Sequence, residues 1–409
     1  MNPQDCKIPF SPPYVDQDII DEVISTLTSG WITSGPKVNE FEREICKYTN
    51  SQRTLCVNSW TSGAILILRW FGVEPGDEVI IPAYTYCATA LAVMQCGAVP
   101  VMVDVGKDFT IDLEKLEKAI TPKTKVIIPV DFAGLPCHYD EINTLVKRED
   151  IQKLFQPNSK NQQTLGRILI VSDAAHSLGA TYKRQNVGSL TDITIFSFHA
   201  VKNITTAEGG AICFNLPETF DIEKEYELIR INTLNGQTKD AYSKTQNSNW
   251  KYDVISPGMK INMPDLCAAV GLAQLRKYNN QLLKKRSKIA LLYQEFFSAS
   301  NYYDPPLIVD HYRSSSFHIY PLRFKNCDET QRDLIIQALN NTGISVNVHF
   351  IPLPCLSLFK TLGYNIKDYP VTFDNYSREI SLPIYPQLTE KNVFRITKTI
   401  HKMLKNFLS

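Results

Sequence analysis

ILIVSDAAH, Ile168–His176, is the stretch on which the fold turns. Its leading apolar residues do not alternate with polar ones. That is the pattern of a strand buried on both faces, as in a mainly parallel sheet covered by helices. The run ends on Asp173, a carboxylate at the C-terminal edge of the strand, where open α/β sheets place ligands. VIIP (Val79–Pro82), VPVMVDV (Val99–Val105) and VIIPV (Val126–Val130) read the same way.

Strands are expected at Thr54–Val57, Glu78–Ile81, Val99–Val105, Thr124–Val130, Ile168–Ser172, Asp192–Phe196 and Gly210–Phe214. Helical stretches lie between several of them, at Ser62–Trp70, Cys87–Cys96, Leu113–Ile120 and Tyr139–Lys147. Asp16 caps a first helix with an apolar stripe of Ile19, Ile20, Val23, Ile24 and Leu27, stopped by Gly30. A second helix carries Val38, Phe41, Ile45 and Tyr48. The polar segments Arg148–Arg167 and Thr233–Ile255 interrupt this rhythm, the first as a surface insertion, the second as a functional or partner-packing loop.

From Pro264 to about Phe297 one long amphipathic helix is expected. It divides the chain into a large α/β domain, 1–255, and a linking helix with a smaller α+β domain, 256–409. The latter holds strands at Ser316–Phe324 and Ser345–His349 and helices at Asp328–Asn340 and Leu388–Phe407.

The 409 residues carry 43 Lys+Arg against 42 Asp+Glu, a net charge of +1. That balance argues against nucleic acid or a membrane surface as partner. No run reaches the length of a spanning helix, and MNPQDCKIPFSPPY lacks a basic region followed by an apolar one. The ten cysteines are at least nine residues apart, without a C-x-x-C unit, and read as buried thiols in a reducing compartment. A cytoplasmic enzyme is expected. No G-x-G-x-x-G follows a strand, and G-x-x-x-x-G-K-[ST] and G-x-S-x-G are absent, so dinucleotide, P-loop and hydrolase readings have no support.

Three strand ends carry chemistry. Asn58-Ser59-Trp60-Thr61-Ser62 opens a helix with hydroxyls and free N–H groups, by itself more often a plain N-cap by Thr61 or Ser62 than an anion site. Asp173 and His176 follow a buried strand; a nearby cation would compensate the carboxylate, whereas too few ligands surround the pair for a metal. Lys202 sits in a turn between the strands near Phe196 and Gly210. Lysine condenses with aldehydes once desolvation lowers its pKa. Together these are the handles pyridoxal phosphate needs: an amine for the aldehyde, donors for the phosphate and a carboxylate for the ring nitrogen.

SGWITSGPKVNEFE, VNSWTSGA, PGDEVIIPAYTYCATA, GAVPVMVDV, DAAHSLGA, FSFHAVKNITTAEGGA and PGMKINMPDLCAAVGLAQL resemble the DegT/DnrJ/EryC1/StrS nucleotide-sugar aminotransferases, over about Pro9 to Pro386. FSFHAVKNITTAEGG with PGMKINMPD is most similar to the branch that aminates C4 of UDP-linked 4-keto sugars, such as UDP-4-amino-4-deoxy-L-arabinose synthase. The resemblance implies a type I pyridoxal-phosphate, aspartate aminotransferase-like fold, acting as a homodimer with shared sites. It implies L-glutamate as amino donor and a nucleotide-linked keto sugar as acceptor. Lys202 would hold the cofactor aldehyde, Asp173 the pyridinium nitrogen and His176 the region of the ring hydroxyl. Tyr86 would stack on the ring, with Thr61, Ser62 and Ser197 at the phosphate and Asn262 reaching it from the neighbouring subunit. Trp31, Ser34, His349 and Tyr320 would lie near the sugar.

Trp60 departs from the family's usual Gly or Ala, its side chain expected to point away from the phosphate turn. Asp131 replaces a commoner His or Asn and bears on sugar recognition, and Arg148–Arg167 is longer than usual. A 3-amino product on the same machinery is the competing reading. A cofactor-binding regulator without turnover is a further one, against which Asp173 and Lys202 both speak.

Overall fold

The computed structural model describes residues 7–242 and 250–407. The apolar runs become a seven-stranded sheet: β1 (Arg53–Val57), β2 (Glu78–Pro82), β3 (Val99–Val103), β4 (Thr124–Ile127), β5 (Leu169–Asp173), β6 (Ile193–Ser197) and β7 (Gly210–Phe214). The spatial order is β1-β7-β6-β5-β4-β2-β3. Neighbours from β6 to β3 run parallel, and only β7 is reversed, pairing antiparallel with both β1 and β6. Strands β4, β5 and β7 are buried along their whole length, which is why Leu169–Val171 of β5 and Ala211–Phe214 of β7 read as unbroken apolar runs, while β4 buries Thr124 and Lys125 beside Val126 and Ile127.

This arrangement sends the C-terminal ends of β1, β2, β4, β5 and β6 to one edge. Gly210 starts β7 opposite Val57 and Ser197. A Cβ there would meet Phe196 O at 2.8 Å and Trp60 N at 2.9 Å, so only glycine lets the turn after β1 pass over the sheet.

A second core gathers Tyr293, Phe297, Tyr303, Tyr320, Leu322, Phe324, Ile335 and Leu382. It lies between a three-stranded antiparallel sheet, Tyr303–Asp304, Tyr320–Phe324 and Glu379–Leu382, and the helices Lys284–Ser298, Glu329–Asn341 and Glu390–Phe407. Asp328 caps the second of these helices through a reciprocal box with Gln331.

Several expectations are corrected. The long helix is not continuous: Asp265–Leu275 ends, Lys277 leaves the α region (φ −112°, ψ 3°), and a π-helical turn over Tyr278–Leu283 leads into Lys284–Ser298. The Tyr278 hydroxyl is drawn inward to Leu178 O at 2.6 Å while Lys277 pairs with Asp16 and Asp18. Arg148–Arg167 lies at the surface, as expected of an insertion, but it is not irregular. It folds into short helices Glu149–Leu154 and Lys160–Leu165, buries Ile151 and Phe155, and uses Gln162 to hold Phe71 O and Gly72 O. Its polar residues satisfy buried backbone, a use that composition does not reveal.

The first helix, Gln17–Thr28, buries Ile19 and Thr26 against Asp265–Leu275, but Ile20, Ile24 and Leu27 stand exposed. Ser345–His349 makes only an isolated bridge, Asn347 to Ser381, and the strand expected from Ser316 begins at Tyr320. Of Thr233–Ile255, residues 243–249 lie outside the described part.

Candidate active site

The strand ends converge on one cavity of about 560 Å³. Lys202, Asp173, His176, Tyr86, Thr61, Ser197 and His349 all line it. Lys202 is half-buried in the turn after β6. Desolvation lowers its pKa to about 8, with Asp173 opposing. Asp173 closes β5 with little exposure. Burial raises its carboxyl to about 6, against hydrogen bonds from Thr89 Oγ1 (2.9 Å) and the Ala175 N–H (3.2 Å).

Ser59 caps helix Trp60–Trp70, its Oγ accepting from Ser62 N at 3.1 Å. Trp60 and Thr61 also line the cavity, and among the described residues their N–H groups make no hydrogen bond. These are orphan donors at a helix start, the natural seat of an anion. The Trp60 ring packs in the main core, away from those donors, as expected.

His176 and His318 lie with ring centroids 4.3 Å apart. Burial holds both well below the usual imidazole range, with the Lys202 charge adding to the effect. His318 Nδ1 is 2.9 Å from Asn203 Oδ1. His176 Nδ1 is buried without a partner, so a polar ligand group in the cavity would satisfy it. Tyr86 is 58% exposed and tilts against Phe350 at 5.5 Å.

Five expected residues, Ser62, Tyr320, Trp31, Ser34 and Asn262, lie off the cavity lining. Ser62 turns its hydroxyl to Ser59 Oγ (2.8 Å), so Ser59 takes its place. Tyr320 is a core residue: its ring packs on Tyr293 and Phe297 and its hydroxyl donates to Gln294. Two residues earlier, His318 reaches the site instead, because Phe317 at φ +55° bends the chain before the strand starts. Trp31 and Asn262 meet elsewhere, around Ser34: Trp31 Nε1 donates to Ser34 O at 3.1 Å and Asn262 Nδ2 to Ser34 Oγ at 2.6 Å.

Asp131 is corrected as well. It is fully buried and accepts from Cys137 N, Tyr139 Oη and Ser177 Oγ, holding the turn after β4 rather than facing the cavity. Thr89, His318 and Phe350 were not singled out from sequence. Thr89 lies in the helix Cys87–Gln95, and its hydroxyl meets that of Thr85, in the turn before the helix, at 3.0 Å.

An amine with a lowered pKa, a buried carboxylate, orphan amide donors and an unpartnered imidazole nitrogen in one cavity fit an aldehyde-bearing, phosphorylated, nitrogen-heterocyclic cofactor. Among the described residues no cluster of His, Cys, Asp or Glu suits a metal, and no helix is long and apolar enough to cross a membrane.

Residues 13–156 and 161–401 match the DegT/DnrJ/EryC1/StrS aminotransferase family, to which the chain belongs. Its fold is the type I pyridoxal-phosphate, aspartate aminotransferase-like fold. Spr1654 of Streptococcus pneumoniae, assigned as a sugar aminotransferase, shares it in its PMP form at TM-score 0.93 and 44% identity, with 98% of each chain covered. Spr1654 also has a PLP-form structure. Helicobacter pylori PseC, an aminotransferase involved in the biosynthesis of pseudoaminic acid, matches at TM-score 0.84 and 29% identity over 98% of this chain and 100% of that one. In sequence, the spore coat polysaccharide biosynthesis protein SpsC of Bacillus subtilis is 35% identical over 403 residues, 97% of each chain.

Proposed function

We propose that this protein is a pyridoxal-phosphate-dependent aminotransferase. It moves an amino group from L-glutamate to a nucleotide-linked, UDP-bearing 4-keto-6-deoxy sugar and yields a 4-amino sugar for a surface glycan. The observation that carries this reading is the pairing of Lys202 and Asp173 in one cavity that the free amide donors of Trp60 and Thr61 also line. The names of Spr1654, PseC and SpsC support the sugar part of it.

When bound, the cofactor supplies an aldehyde for amines to condense with and a ring that accepts the electrons of a Cα–H bond. Lys202 holds that aldehyde between turnovers. Released as an amine, it takes the proton from Cα of glutamate and returns one to the sugar carbon in the second half. A pKa near 8 leaves a usable neutral fraction at neutral pH. Asp173, held by Thr89 and the Ala175 N–H, keeps the ring nitrogen protonated. His176 offers Nδ1 to the ring oxygen, and Tyr86 covers the ring face. Thr61, Ser197, Ser59 and the amides of Trp60 and Thr61 take the phosphate.

The protein works as a homodimer in which Asn262 of a second copy completes the phosphate site. Exposed Ile20, Ile24, Leu27, Trp250, Val254 and Ile255 support that reading, as does the position of Asn262 off its own cavity. The large and small domains divide near residue 256, and the reaction takes place in the cytoplasm.

The test is an absorbance spectrum of the purified protein before and after L-glutamate, then a panel of nucleotide keto sugars. A cofactor band that glutamate converts to the pyridoxamine form, reversed by UDP-4-keto sugars, is expected. No band with added pyridoxal phosphate would sink the assignment.

A further inference from the structure

One polar chain at the cavity is left unused by the reaction above. His349 lines the cavity, and its Nδ1 lies 2.9 Å from Ser381 Oγ. Ser381 Oγ lies 2.5 Å from Glu379 Oε1, and Glu379 Oε2 accepts the His349 backbone N–H at 3.2 Å. Glu379 and Ser381 are both 0% exposed, two residues apart on one face of their strand. Nε2 of His349 makes no hydrogen bond among the described residues. A carboxyl group sealed behind a hydroxyl is costly to bury, and an aliphatic side chain would fill the space without that cost.

We propose that Glu379 and Ser381 are positioning residues: their relay decides which ring nitrogen of His349 carries the proton. His349 then offers the sugar either a donor or an acceptor. The consequence for the sugar rests on the reading of this cavity as a keto-sugar site; the relay itself does not.

The protons balance as follows. With Glu379 protonated, its O–H donates to Ser381 Oγ, the Ser381 hydroxyl donates to His349 Nδ1, and the ring proton sits on Nε2. With Glu379 ionised, Ser381 donates to Glu379, His349 Nδ1–H donates to Ser381, and Nε2 is a bare acceptor. One proton leaves from Nε2 to solvent between the two states, and the ring stays neutral throughout.

The surroundings suit such a relay. Burial raises Glu379 to about 8, while Arg332 from helix Glu329–Asn341 and Arg323 from the neighbouring strand oppose it. The buried Tyr84 phenol also faces it. Burial, then the Lys202 charge, holds the His349 ring down to about 3, so it does not take a second proton near neutrality. His176 and His318, which also face it, are held neutral by burial.

The test uses the holoenzyme with ¹⁵N-labelled histidine and two-bond ¹H–¹⁵N correlation spectra. His349→Gln identifies the His349 signal among the seven histidines. The expected result is a proton on Nε2 at about pH 6 and on Nδ1 at about pH 10. Glu379→Gln keeps its amide oxygen on the His349 N–H and turns its NH2 to Ser381, so the proton should stay on Nε2 at both pH values. Ser381→Ala cuts the relay and should abolish the response. One tautomer at both pH values in the unaltered protein, or a response that persists in either variant, overturns the proposal. In turnover, Glu379→Gln should flatten KM against pH while leaving the kcat limb set by Lys202. The NMR readout needs no sugar, so inactivity toward nucleotide-linked keto sugars would strike the functional reading and leave the relay standing.

Discussion

Thr89 Oγ1 donates to Asp173 Oδ2 at 2.9 Å, joining the helix after β2 to the end of β5. Among the described residues the Asp173 carboxylate accepts one other hydrogen bond, from the Ala175 N–H of its own turn, and burial already lifts it to about 6. Thr89→Val should weaken the ionised form further. A hydrogen bond to a charged group is worth about 1.5 kcal/mol or more, so cofactor affinity should fall about tenfold. Thr89→Ser should restore it. Fluorescence titration of apoprotein with pyridoxal phosphate checks this, and an unchanged affinity would show that Asp173 needs no such donor.

Lys202→Ala should remove the covalently held cofactor band and turnover together. Lys202→Arg should fail as well, since a guanidinium does not shed its proton near neutrality. Full activity in either variant, measured with glutamate and a keto sugar, refutes the role given to this lysine.

The open face of helix Gln17–Thr28 exposes Ile20 at 43%, Ile24 at 51% and Leu27 at 52%. Burying such side chains is worth about 1.5–3 kcal/mol each. Ile20→Asp combined with Ile24→Asp should therefore yield single chains by sedimentation, with circular dichroism unchanged and activity lost. A dimer of normal affinity would take this face out of the interface.

Asp131 adds a pH signature. Burial raises its carboxyl to about 6, against hydrogen bonds from Ser177, Tyr139 and Cys137. The folded chain thus holds this proton more tightly than the unfolded one, whose value is about 3.9. The stabilisation is full below about pH 4 and is lost as pH rises through about 6, a change of about 3 kcal/mol. Asp131→Asn does not ionise, so the melting temperature of the variant relative to the unaltered protein should climb between those limits. Parallel melting curves across that window would mean that the carboxyl is not shifted.

The strand series was legible because most of the strands bury both faces, leaving runs of apolar residues that no helix face imitates at that length. Asp173 and Lys202 were legible because a charged residue at the end of such a run is costly without a use. His318 was hidden beside the more conspicuous Tyr320. Choosing between them depended on the bend at Phe317, a backbone feature without a hydrophobic period. Arg148–Arg167 misled for a related reason: Gln162 and Asn158 are polar, yet they satisfy buried partners 81 to 91 residues away.

Sequence alone therefore determined the order of strands and helices, the capped helix starts and the two charged residues at the heart of the site. These follow from burial periodicity and local hydrogen bonding, which act within a few turns of chain. Tertiary structure decided which side chains meet those two. Thr89 reaches Asp173 across 84 residues, and Asn203 meets His318 across 115. It likewise turned Ser62 onto Ser59 and sealed Asp131 beneath the site. Contacts of that range depend on sheet order and chain reversal, and neither leaves a repeating mark on the sequence.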